Sequence, residues 1–163
     1  MKIWREGKWV SDVEQKLEKM GLKLPDPPSP AGSYVGTVVA GGFAFTAGQG
    51  PGKGPDGKEY LGKVGKDLTI EEGYAAARST MLRVLSQLKA AIGDLDRVER
   101  IVKVSGYINS AEDFTDQPPV LNGASDLLLE LYGERGQHAR EALPLSIEGW
   151  IACEISIIVK LKE

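Results

Sequence analysis

Apolar residues recur at helical spacing in three stretches of the chain and in short blocks between them. In the first stretch Val13, Leu17 and Met20 fall on one face. Ser11-Asp-Val-Glu14 opens it as a capping box, in which the Ser hydroxyl accepts from the backbone three residues on and Glu14 reaches back. Val10 stands before the cap as a staple residue, and Gly21 is a natural stop. The pattern predicts an amphipathic helix of about ten residues, too short to be stable alone. Leu24 to Ser33 holds Pro25, Pro27, Pro28 and Pro30 and reads as a stiff connector. Tyr34–Val39 and Phe43–Thr46 read as strands joined by a two-residue turn at Gly41-Gly42. A second capping box, Thr69-Ile-Glu-Glu72, opens a long helix carrying Tyr74, Ala77, Met81, Leu85, Leu88 and Ile92 on one face and ending at Gly93.

Val98 to Ile108 is a strand of mixed apolar and charged positions. Asp116 ahead of Gln117-Pro118-Pro119 is placed to cap a third helix, since Pro is tolerated in a first turn. Val120, Leu121, Ala124, Leu127, Leu128 and Leu131 form its buried face. A short segment at Ala139–Leu145 and a strand from Trp150 to Leu161 complete the chain. The expected class is α+β, with both long helices on one side of a mixed sheet. The other sheet face is then either solvated or buried between subunits. Trp150-Ile-Ala-Cys-Glu-Ile-Ser-Ile-Ile-Val159 is too apolar for a solvated face throughout, which favours a homo-oligomer. The chain divides into a helix and Pro-rich connector, 1–29, and a main domain, 30–163.

Composition narrows the chemistry. A length of 163 residues suits one core. The formal net charge is −3, from 20 Lys+Arg against 23 Asp+Glu, and offers no basic stripe for nucleic acid. One Cys and one His exclude an intrachain disulfide and a Cys/His zinc site. They also exclude a Ser-His-Asp or Cys-His machine unless His138 supplies the base. No apolar run has membrane-spanning length and the N-terminus lacks a secretory pattern, so a cytoplasmic home is expected. In the glycine-rich segment Gly48–Gly57, Gly52-Lys53 is followed by Gly54 rather than Ser or Thr, which makes a phosphate-cradling loop a poor reading and a tight or mobile loop the better one.

A carboxylate, an Arg, a Tyr and backbone groups are what remain. Arg140 is either a surface ion-pair residue or a bidentate clamp for a carboxylate or phosphate. Glu154, inside the most apolar strand, is either a solvent- or seam-facing position or a carboxylate aimed into a cleft. Tyr34 opens a strand, and edge packing with its hydroxyl in water is the plain alternative to a role in a site. Cys153 is expected to be a small hydrophobe and His138 a solvent-exposed loop residue. Asn122 interrupts an apolar run and, if buried, must be hydrogen-bonded. Asp94, Asp96, Glu99 and Arg100 look like a solvated face.

These residues in this order resemble the RidA family (also called YjgF/YER057c/UK114, with the older label endoribonuclease L-PSP). The resemblance runs from about Pro30 to Val159. It rests on Tyr34-Val35, Gly42-Phe43 through Thr46-Ala-Gly-Gln49, Gly93-Asp-Leu-Asp-Arg-Val98, Ile101 to Ile108, Asp113-Phe114, Val120-Leu-Asn122, Tyr132-Gly133, Ala139-Arg140 and the strand with Glu154. The N-terminal helix resembles a longer subgroup. The resemblance implies a chorismate-mutase-like fold assembled as a homotrimer around a central barrel, with clefts between subunits. It implies hydrolysis of reactive enamines and imines such as 2-aminoacrylate to 2-keto acids and ammonia, without metal or organic cofactor. By match of motif, Arg140 is the substrate-binding Arg and Glu154 the water-positioning carboxylate, with Tyr34, Gly48 and Asn122 lining the cleft. Ala142 stands where well-studied members carry a Cys, so no cleft thiol is expected. A non-catalytic trimer that binds small metabolites in the same cleft is the alternative reading. The ribonuclease activity of the older label fits poorly with the acidic charge balance.

Overall fold

The computed structural model of the chain describes residues 2–5, 7–54 and 57–163. Pro55 and Asp56 of the glycine-rich loop lie outside the described residues. A two-stranded antiparallel hairpin, β1 (Ile3–Arg5) and β2 (Lys8–Val10), comes first and was not signalled by the apolar pattern. Helix α1 (Asp12–Lys19) follows with both bonds of its capping box formed. Next come β3 (Thr37–Ala40), β4 (Phe43–Thr46) and α2 (Ile70–Ile92), then β5 (Val98–Asn109), α3 (Gln117–Tyr132), β6 (Ala139–Leu145) and β7 (Cys153–Leu161). The five-stranded sheet runs β3-β4-β7-β5-β6, antiparallel except for the parallel β5–β6 pair. The parallel pair follows from α3, which crosses over between those two strands.

Local signals hold where their partners are local. The α2 capping box is complete and Gly93 ends the helix at φ 82°. Gly41 and Gly42 both have positive φ, 58° and 78°, as a tight hairpin with right-handed strand twist requires. One cap and two boundaries differ from the pattern. Asp116 makes no side-chain cap bond, and the two prolines that follow carry no N–H to receive one. The first sheet strand starts at Thr37 because Tyr34 N–H turns back to Gly32 O. The last strand starts at Cys153 because Trp150 O and Ala152 N–H are taken by the loop at residues 60–62: Gly62 N–H donates to Trp150 O and Ala152 N–H to Tyr60 O, while Ala152 O still accepts from Asn109 N–H of β5.

Both long helices cover one sheet face. Met81, Leu85 and Leu88 of α2 and Leu121, Leu127 and Leu128 of α3 are fully buried with Val104, Ile108, Ile155 and Val159 of the sheet. Each buried Leu or Ile contributes about 1.5–3 kcal/mol of transfer free energy. Two glycines set the closeness of α3. A Cβ on Gly106 of β5 would stand 2.5 Å from Leu121, and a Cβ on Gly123 would stand 2.0 Å from the Tyr74 backbone oxygen of α2. Helix α1 joins the same core through Val13 and Leu17. Its first N–H groups are capped from a distance: Asp96 accepts from Asp12 N at 2.8 Å and from Val13 N at 3.1 Å. Asp94 pairs with Lys2. Asp94 and Asp96 are therefore anchors for the N-terminal segment rather than a solvated face, while Glu99 and Arg100 are exposed. The connector is tied to α2 by the Ser86 hydroxyl, which donates to Pro25 O at 2.6 Å.

The second sheet face has no helix over it. Strand β7 alternates strictly, with Glu154, Ser156, Ile158 and Lys160 on this open side. The face is thus mixed, and the apolar run that suggested a wholly buried strand splits into one buried and one half-exposed set. Val38, Phe45 and Leu143 are nonetheless about half exposed on it, in register with Phe45, Ile158 and Tyr107 respectively.

Two substitutions test this packing in urea denaturation. Gly123→Ala, which drives a methyl into the α2 backbone, lowers stability by at least about 2 kcal/mol. Asp96→Ala, which removes the acceptor of the Asp12 and Val13 N–H groups at the start of α1, lowers it by about 1–2 kcal/mol. A Gly123→Ala protein as stable as the parent would refute the close approach of α3 and α2.

Candidate functional site

The residues expected to form a site fall into two groups within one protomer. The first lies where β6 meets α3. Arg140 pairs in the sheet with Val104, and its neighbour Ala142 with Gly106, whose missing side chain faces α3. Alternation therefore directs Arg140 to the helix side. There Arg140 Nη1 donates to Asn122 Oδ1 at 2.7 Å and to Ser125 Oγ at 3.1 Å. Asn122 is exposed, not buried, and its carboxamide braces the arginine rather than a loop. Among the described residues no carboxylate pairs with Arg140; Asn122 and Ser125, its side-chain partners, are both neutral. The guanidinium stands at the rim of an open depression of about 270 Å³ lined by Ser125, Leu129, Gln137, His138 and Arg140.

The second group lies on the open sheet face. Glu154 pairs across β5 with Tyr107, on the side away from the helices. The glycine-rich segment begins here, held by the reciprocal backbone bonds of Gln49 with Ile155, both 2.9 Å. A Cβ on Gly48 would stand 2.3 Å from Glu154 Oε1, so only glycine lets the chain lie against the carboxylate. Gly48 and Glu154 are thus brought together, as are Arg140 and Asn122. The two groups are not. Arg140 and Glu154 lie on opposite sheet faces, two strands apart and three residues out of register. That offset is roughly 10 Å in each direction. Tyr34 stands apart from both, half exposed, its hydroxyl accepting from Ala31 N at 3.1 Å. It precedes β3, which is the sheet edge opposite β6.

Three further residues complete this geometry. His138 is half-buried, not exposed: Nδ1 lies 2.5 Å from Gly136 O and Nε2 3.0 Å from Ser125 Oγ. Burial lowers its pKa below the usual imidazole value, opposed by the Gly136 bond and aided by the charge of Arg140. Ser125 carries no signal in the sequence beyond a small polar residue on an apolar helix face. Asn109, fully buried, ties the loop before α2 to the β6–β7 connection: its Nδ2 donates to Gly62 O and Ile147 O, and its Oδ1 accepts from Ile147 N. Cys153 is buried against the Thr80 hydroxyl, and burial pushes its thiol up to about 12. Among the described residues no group of His, Cys, Asp and Glu is placed to hold a metal ion, and no helix is long and apolar enough to cross a membrane.

Residues 14–157 match the family described as YjgF/chorismate-mutase-like, putative endoribonuclease. The chain belongs to the YjgF/RidA family. It is 44% identical to Protein TCP17 of Trypanosoma cruzi over 151 residues, covering 91% of this chain and 94% of that one. It is 36% identical to a protein of Shewanella oneidensis MR-1 solved under the same endoribonuclease description, with a TM-score of 0.85 over 91% of this chain and 99% of that one. E. coli TdcF, solved with bound serine, shares the fold at 20% identity and a TM-score of 0.55, over 83% of this chain and 94% of that one.

The burial of Cys153 has a direct readout. At neutral pH the folded protein leaves its single thiol unmodified by an aromatic disulfide reagent, and unfolding in guanidinium releases one reactive equivalent. Reaction of the folded protein at the rate of a free thiol would show that Cys153 is not enclosed.

Proposed function

We propose that this protein is a cofactor-free deaminase that hydrolyses 2-imino and 2-enamino acids to 2-keto acids and ammonia in clefts between subunits of a homotrimer. The observation that carries the reading is Arg140: a guanidinium braced by two neutral side chains, with no described carboxylate neutralising it, at the free edge of the sheet. A braced cation without an internal partner is suited to an anionic ligand, and its remaining N–H donors offer a carboxylate charge-assisted bonds. TdcF, of the same fold, is solved with serine, itself an amino acid carboxylate.

Assembly resolves the separation of Arg140 from Glu154. Edge strand β6 carries Arg140, the opposite edge follows Tyr34, and the open face between them leaves Val38, Phe45 and Leu143 half exposed. Packing these faces around a three-fold axis buries that apolar surface and sets one copy's Arg140 beside another's open face. Arg140 then holds the substrate carboxylate. Glu154 takes a proton from a water whose oxygen attacks the imine carbon. The carbon–nitrogen π-bond moves onto nitrogen, giving a carbinolamine. The Glu154 carboxyl returns its proton to the nitrogen and the carbon–nitrogen bond breaks to release ammonia; the hydroxyl proton passes to the Glu154 carboxylate as the keto acid's carbonyl forms, and the departing ammonia takes it as ammonium. An enamine enters the same course after protonation at carbon to the imine. The protonated imine is already electrophilic, so orientation is the main demand on the protein.

Keto-acid formation from 2-iminobutyrate generated in situ tests the assignment. Arg140→Ala raises KM strongly, and Glu154→Gln lowers kcat by about 10²-fold or more. Gly48→Ala, whose methyl displaces the carboxylate, also lowers kcat. Because each cleft draws Arg140 and Glu154 from different copies, mixing the Arg140→Ala and Glu154→Gln proteins under exchange restores activity to part of the clefts. Full activity of Arg140→Ala would overturn the reading. Binding of 2-ketobutyrate without turnover would favour the metabolite-binding alternative.

A further inference from the structure

Arg140 rests on more than Asn122. A chain of hydrogen bonds runs from the turn Gly133–Gly136 to its guanidinium. Gly136 O can only accept, so His138 Nδ1 carries the proton of their 2.5 Å contact. In the neutral ring Nε2 is then an acceptor, and the Ser125 hydroxyl donates to it across 3.0 Å. With its proton so engaged, Ser125 Oγ presents a lone pair to Arg140 Nη1 at 3.1 Å. Every donor in the chain has one acceptor. Ser125 itself is 7% exposed, so no alternative partner in water competes effectively.

A proton on His138 breaks this order. Both ring nitrogens become donors, and Nε2 then points its hydrogen at the oxygen that Arg140 already uses. The hydroxyl proton loses its acceptor, and two cations share one oxygen. Among the described residues no carboxylate acts on the ring to relieve the conflict. On α3, Asp126 accepts from Tyr74 and Glu130 pairs with Arg78. In the preceding turn, Arg135 donates to Val98 O, and Glu134 is exposed. On β6, Glu141 is engaged by Lys103 and Ser105 on the other sheet face. Arg140 is the charged side chain that acts on the ring, and it too disfavours the imidazolium.

We propose that Ser125 and His138 are positioning residues that hold the Arg140 guanidinium ready for a carboxylate, and that protonation of His138 releases it. The proposal rests on Arg140 being the carboxylate clamp and adds the device that sets its geometry and its pH dependence. Ligand affinity is then full with His138 neutral and falls as the pH drops through its transition.

2-Ketobutyrate is the probe, because its carboxylate stays ionised from about pH 5 to about pH 8. Calorimetric Kd values across this range are compared with the ring resonances of His138, the one histidine of the chain. The Kd rises toward acid pH, in step with protonation of the ring. A plain charge effect has the opposite sign, since an imidazolium beside Arg140 attracts a carboxylate; tighter binding at acid pH overturns the proposal. Ser125→Ala and His138→Phe each weaken binding at neutral pH about three- to tenfold, the equivalent of one hydrogen bond, and flatten the profile. His138→Gln accepts the Ser125 proton without titrating, so it keeps the neutral-pH Kd and loses the pH dependence. If Arg140→Ala abolishes binding while Ser125→Ala and His138→Phe bind like the parent at every pH, the positioning role falls and the clamp stands. If Arg140→Ala binds like the parent, both fall.

Discussion

The position of α3 depends on places where a side chain is absent. Gly106 lets the helix settle on β5 with Leu121 over the strand backbone, and Gly123 lets it touch the backbone of α2. At the next turn, Gly136 packs against Leu128 and Leu129 so closely that a Cβ would stand 2.4 Å from the Leu128 backbone oxygen. These three contacts are rigid on both sides, backbone against backbone or against a fully buried leucine, and so admit little adjustment. The site follows from them. Asn122 and Ser125 ride on α3, His138 follows the turn held by Gly136, and Arg140 emerges from β6 into the space they leave.

The same packing explains why Arg140 carries an unneutralised charge at modest cost. The guanidinium is exposed, so it keeps much of its hydration while one nitrogen is fixed by neutral oxygens. A carboxylate partner would have fixed it better and left it inert. Glu154 is arranged by a different device, a glycine backbone laid along its side chain and anchored by the Gln49–Ile155 bonds. The two devices use opposite faces of one sheet. A single copy of the chain therefore keeps the two groups apart, and leaves the edges and one face of the sheet uncovered.

Much of the fold was legible in the chain. The two capping boxes, the Gly41-Gly42 turn and the apolar faces of α2 and α3 are short-range signals whose partners lie within a few residues, and each forms as written. Caps and boundaries departed from the pattern where the backbone decided: Asp116 stands at the N-cap of α3 as expected but makes no side-chain bond, and Trp150 O and Ala152 N–H bond the loop at residues 60–62. The β1–β2 hairpin was missed because three-residue strands leave too few alternating positions to stand out. Asp96 looked like surface charge because its partners, the first N–H groups of α1, are distant by more than eighty residues.

The site was legible as an inventory and not as a geometry. Scarcity of His and Cys already restricted the chemistry to a carboxylate, an arginine and backbone groups, and the ordered motifs placed Arg140 and Glu154 among them. Periodicity could state that Glu154 and Cys153 take opposite faces of one strand, since alternation is a property of the strand itself. It could not state which face α2 and α3 would cover, nor that Ser125, thirteen residues before His138, would join it to Arg140. Those relations depend on how closely α3 approaches the sheet. That approach is set by the simultaneous packing of three backbones, a sum over contacts between residues far apart in the chain.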